Sequence, residues 1–78
     1  MKRKVYLTFP EILIKEPVIY ELGHKFKVVT NVRSASVSTG VGLIALEMDG
    51  EKEEVEKAIK HLKDLGIKVK PIEHDVVE

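Results

Sequence analysis

These 78 residues predict an α+β fold of order β-α-β-β-α-β, on three observations. Val5, Leu7 and Phe9 alternate with Tyr6 and Thr8, and Ile44, Leu46 and Met48 fall on one face of a later run, the period of strands buried on one side. Two other segments repeat at helical spacing: Val18, Ile19, Leu22 and Phe26, then Val55, Ala58, Ile59, Leu62 and Leu65. Between them a strand rich in Val, Thr and Ser meets its return strand across a turn holding Gly40 and Gly42.

Taken in order, the first strand covers Val5 to Phe9 and stops at Pro10. The segment EILI then lies outside regular structure, and Pro17 suits the first position of a helix that Gly23 weakens near its end. Val28 to Thr39 is the second strand, Gly40 and Gly42 supply the positive φ angles of a tight hairpin, and Leu43 to Met48 returns. The second helix is the clearest element. Acidic residues crowd its first turns and lysines follow, as the helix dipole favours, with Asp49 or Gly50 capping its start and Gly66 its end. Ile67 to Ile72 is the last strand, where Pro71 is tolerable only on an edge. Residues 1–78 thus read as one domain, with 73–78 a loose tail. Two right-handed crossovers and one hairpin close a four-stranded antiparallel sheet in order 4-1-3-2, with both helices on one face, the arrangement called ferredoxin-like.

A chain this short buries one modest core and cannot enclose a deep active site by itself. Apolar residues at 44% and charged residues at 33% describe a globular chain, and a net charge of zero removes the usual electrostatic case for nucleic acid or an anionic membrane. The absence of cysteine excludes disulfides, thiolate nucleophiles and iron–sulfur clusters. No apolar window suffices for a secretory signal or a membrane helix, so the expected location is cytoplasmic, without direct membrane insertion. Abundant Lys and Glu beside few Asn and Gln point to a heat-loving source.

The second strand lies on an edge of the predicted sheet and carries only Arg33 as a guarding charge. Natural edges are usually blunted by Lys, Pro or bulges, so this one predicts a homodimer paired through that strand. The helix-free face holds Tyr6, Leu43 and Ala45 rather than a row of charges, and is expected to be partly covered.

Few residues offer chemistry. His24, His61 and His74 show no metal-triad spacing and read as solvated imidazoles, so neither a catalytic nor a metal site is expected, and no cofactor. The TGVG turn joins two strands, whereas a phosphate loop opens a helix. The EKEEVE run is the solvated face of an amphipathic helix. RNA-recognition modules share this topology but stack bases on aromatics of the third strand; here that strand is GLIALEM, so no nucleic-acid partner is expected. Ile12, Leu13 and Ile14 either close the core end of the sheet or wall an apolar ligand pocket or dimer contact. Asn31 either satisfies a backbone group at a bulge or offers donor and acceptor to the charged end of an amino acid.

The run VTNVRSASV…GVGLIALEMDGEKEEVEKAIKHLKDLGIKVKPI, with KVYLTF and PVIYEL upstream, resembles the NIL domain, the C-terminal regulatory module of methionine-import ABC-transporter ATPases. The resemblance spans about Val5 to Ile72. It implies a ferredoxin-like dimer that binds methionine or a related sulfur amino acid, and possible partners among transporters, ferredoxins or sulfur-transfer enzymes. The family's name spells Asn-Ile-Leu, and its asparagine, implicated in ligand binding, maps onto Asn31. Arg33 stands where the family has an apolar residue. Its guanidinium would then contact the ligand's carboxylate, fill the space of a thioether, or point outward. The resemblance therefore implies a non-enzymatic regulatory domain with Asn31, Arg33, Ile12, Leu13 and Ile14 as candidate ligand residues. A pure interaction module, docking a protein along the edge without a small molecule, is the alternative.

Overall fold

The computed structural model describes residues 1–72. Strand β1 (Lys2–Pro10) leads into the short helix α1 (Glu11–Ile14) and then α2 (Val18–Lys25). Strands β2 (Val28–Ser38) and β3 (Val41–Gly50) form the hairpin, and α3 (Lys52–Asp64) returns the chain to β4 (Lys68–Pro71). The sheet order is β2-β3-β1-β4 with every pair antiparallel, which is the predicted 4-1-3-2 order read from its other edge. The expected tail and His74 lie outside the described residues.

The alternation in β1 and β3 builds the core. Val5, Leu7 and Phe9 pair with Leu46, Ile44 and Gly42, and residues directly opposite on antiparallel strands share a face. Onto that face α2 brings Val18 and Leu22, and α3 brings Val55, Ala58 and Leu62, all buried. Ile67, just before β4, completes the cluster. Among the described residues no polar or charged residue is buried. The helical stripe in α3 is shorter than expected, because Leu65 caps the helix and stays 40% exposed.

Three local details depart from expectation, each for a physical reason. EILI forms one helical turn instead of a loop; Leu13 and Ile14 pack against the core, and Pro17 disfavours helical backbone in the residue before it, so the turn cannot continue. Only Gly40 takes a positive φ (80°) in the hairpin turn; Gly42 lies within β3, where a Cβ would sit 3.4 Å from Ile14 Cγ1, so it makes room for α1. Asp49 and Gly50 belong to β3 and do not cap α3, whose N-cap is Glu51. Gly50 is needed because a Cβ there would lie 2.7 Å from the Lys27 carbonyl oxygen. The start of α3 is tied down differently: the Lys27 amide donates to Glu54 Oε1 at 2.9 Å. That bond, aided by Lys57 at 3.4 Å and opposed by partial burial, holds the Glu54 carboxyl below its ordinary pKa. At the other end Gly66 adopts φ 97°, the left-handed residue that was expected to stop the helix.

Candidate functional site

The two helices leave one side of the sheet uncovered, and the register tells which residues it carries. Tyr6 pairs with Ala45 and with Lys70, Thr8 with Leu43 and Lys68, and Lys4 with Glu47. From β2, Asn31 pairs with Glu47, Ser34 with Ala45 and Ser36 with Leu43. All of these stand on the open face. The molecule is neutral overall, but this face is not. It gathers Lys2, Lys4, Arg33, Lys68 and Lys70 against Glu47 and Asp49, while α3 carries most of its acids on the opposite side.

The register shifts between Val32 and Ser34, so Arg33 is the extra residue of a β-bulge. A bulge kinks its strand and re-aims a side chain. Here Arg33 Nη1 donates to Glu47 Oε1 at 3.3 Å, across to the neighbouring strand. Glu47 also has Lys2 Nζ at 3.7 Å, and its side chain retains only 15% of its exposure, against 67% for Lys2. A bulge at Asn31 is one of the two readings of that amide; the bulge occurs two residues later. Asn31 itself is exposed, on the same face as Glu47.

Beside this polar group lies a shallow apolar groove of about 450 Å³. Tyr6, Leu43 and Ala45 form its floor and walls, Ser34 and Ser36 one rim, and Lys70 the other. Tyr6 and Leu43 are half-exposed, whereas Ala45, between them, is buried at 7%. Such a volume falls within the range of small-molecule sites.

The residues expected from sequence are not all brought together. Arg33 reaches Glu47, whose register partner on β2 is Asn31, so both lie by the open face. Ile14 packs on the helix side against Gly42 and Phe9, and Ile12 is 81% exposed at that end. Gly42 and Glu47 are five residues apart on β3, so roughly 16 Å of strand separates Ile14 from Asn31, with the sheet between them. Within one copy, Ile12, Leu13 and Ile14 therefore cannot wall a pocket that holds the Asn31 side chain. Glu47, Tyr6, Leu43 and Ala45 take that place geometrically. Period-two counting along β3 puts Glu47 beside Ala45, but nothing local in sequence shows that a bulge delivers Arg33 to it.

The histidines form a second, separate feature. The His24 ring lies tilted against Tyr20 with centroids 4.5 Å apart and His61 tilted against Phe26 at 5.5 Å, and both line a surface groove with Glu21 and Lys25. Among the described residues no cluster of His, Asp or Glu could hold a metal ion. Nor is any described helix long and apolar enough to cross a membrane.

Fold and face together define a small α+β domain with an edge strand whose outer side no described strand pairs and a basic, partly apolar sheet face. The chain belongs to the NIL domain family, whose model matches residues 3–71. It is 27% identical over 67 residues to an uncharacterized protein of Synechocystis sp., covering 83% of this chain and 69% of that one. In structure it is similar to the C-terminal domain of an ABC transporter ATP-binding protein from Enterococcus faecalis, with a TM-score of 0.79, 21% identity, and coverage of 92% and 84%. The de novo designed protein Foldit4 shares the topology at a TM-score of 0.57 and 11% identity, over 94% and 96% of the two chains. A topology that a designed sequence can also adopt specifies no function, so function must be argued from the open face and the edge.

Proposed function

We propose that this chain is a non-catalytic regulatory domain that binds a free amino acid, methionine or a related sulfur amino acid, on the open face beside β2. It acts in the cytoplasm as a homodimer paired along that strand, in association with a transporter. One observation carries the reading: Arg33 of the edge strand pairs with Glu47, the register partner of Asn31, and their chain neighbours Ser34 and Ala45 line the apolar groove with Tyr6 and Leu43. Charged and amide groups suit the head of an amino acid, and the groove suits an apolar side chain. Membership in the NIL family and the resemblance to a transport ATPase's C-terminal domain support a regulatory role.

The dimer is inferred from the edge, which the bulge at Arg33 blunts in its middle but which stays extended on either side of it. Val29 and Val37 on β2 are 72% and 65% exposed, and no described strand pairs with its outer side. A twofold axis that makes two β2 strands antiparallel stands perpendicular to the sheet, so both open faces end on the same side. Asn31 then stays opposite Ile12, Leu13 and Ile14 of either copy. Those three residues serve the core end and its rim, and the ligand's walls come from the open face.

Isothermal titration of methionine and homocysteine tests the reading. Wild type should bind, and Asn31→Ala should weaken binding about ten- to a hundredfold, the value of a hydrogen bond to a charged group. Arg33→Leu should also weaken it if the guanidinium holds the carboxylate. Neither heat nor thermal shift at millimolar ligand would sink the sensor reading. The exposed valines of β2 would then favour the interaction module, in which the edge accepts a strand from a partner protein.

A further inference from the structure

Glu47 is the most enclosed carboxylate among the ion pairs of the described residues, with 15% of its side chain exposed where Glu54 keeps 25%, Asp49 50% and Asp64 63%. It stands on an otherwise cationic face, and the chain departs from a regular strand at Arg33 in a way that lays a guanidinium against it. The second partner, Lys2, is long-range at 3.7 Å and mostly solvated, so it is easily displaced. The other carboxylate of this face, Asp49, lies 3.7 Å from the terminal ammonium. Of the two carboxylates on the open face, Glu47 alone has a guanidinium beside it, at 3.3 Å, and the pair lies next in chain to groove-lining residues, Arg33 to Ser34 and Glu47 two positions from Ala45.

We infer that Glu47 receives the ligand's ammonium, so that the site selects an unblocked α-amino group; this rests on the amino-acid reading above. An α-amino acid carries its two charges on neighbouring atoms of one carbon. The Arg33–Glu47 pair offers complementary charges at a comparable spacing, with the carboxylate turned to Arg33 and the ammonium replacing Lys2. Ala45 lies two residues along β3 on the same face, about 7 Å away. A side chain leaving that carbon can run over Ala45 toward Leu43 and Tyr6. A peptide or an N-acylated amino acid keeps the apolar part and the carboxylate but brings no cation to Glu47.

Titrations of methionine and N-acetylmethionine into wild type and Glu47→Gln decide this. In wild type, acetylation should weaken binding at least tenfold. Glu47→Gln should weaken methionine at least tenfold and leave N-acetylmethionine unchanged. Equal loss for both compounds would mean that Glu47 only orients Arg33, and would overturn the inference. So would a wild type that binds the two compounds equally, a comparison that does not depend on any variant folding. If wild type binds neither compound at millimolar concentration, the amino-acid reading itself fails and this inference with it. Binding of both with equal affinity leaves that reading standing and removes only the selectivity.

Discussion

The two faces of this sheet are built from the same strands by the same alternation, yet they do opposite work. On the helix side, Val5, Leu7, Leu46 and Met48 are at most 1% exposed under α2 and α3. On the open side, Tyr6 and Leu43 are each about half exposed, with lysines around them. Leu46 and Ala45 are chain neighbours, but one is sealed by helices and the other is covered only by side chains of its own face. The contrast teaches where stability resides and which face is left for the proposed site. A domain of this size has one core to spend on folding, and its second face remains available to bind.

Substitutions can sharpen or break this division. The largest effect is expected from Leu46→Ala, which leaves a cavity among fully buried side chains and should cost about 2–5 kcal/mol. Leu43→Ser, three residues away on the open face, should stay within about 0.5 kcal/mol in the same urea melts. Comparable losses at both positions would show that the open face is covered and belongs to the core. Next comes Gly50→Ala, whose Cβ would press on the Lys27 carbonyl at 2.7 Å; overpacking of this kind should cost about 1–3 kcal/mol.

The edge comes third. Wild type should sediment as a dimer at tens of micromolar, and Val37→Lys should shift it toward monomer with the fold intact, since a charge on an edge strand opposes pairing. An unaltered dimer would move the interface away from β2.

The smallest effect should come from Glu54→Gln. Its carboxyl is held below the ordinary value chiefly by the Lys27 amide, so its contribution is complete above the unfolded-state pKa and disappears as pH falls through the lower folded-state value. The variant should be slightly less stable than wild type at neutral pH, and the two melts should converge in acid. A difference that persists undiminished at low pH would place the effect on packing instead.

Much of this protein could be read from the order of its residues. The β-α-β-β-α-β order, the core positions of β1, β3, α2 and α3, and the left-handed glycines at Gly40 and Gly66 all follow from local periodicity and backbone sterics. Asn31 and Arg33 stood out because an amide and a lone cation are unusual in a strand of small neutral residues. What sequence could not resolve was which distant residues share a face. A single inserted residue at a bulge shifts the register of a strand against its neighbour, and so sets what Arg33 touches. The helical turn at EILI was missed because it is held by Ile14 packing over Gly42, a contact between segments far apart in the chain. The same tertiary packing put Ile12, Leu13 and Ile14 on the helix side of the sheet and Asn31 on the other. Periodicity is a property of neighbours along the chain and is written in the sequence; the meeting of Arg33 with Glu47 beside Tyr6 depends on strand pairing, which only the folded sheet decides.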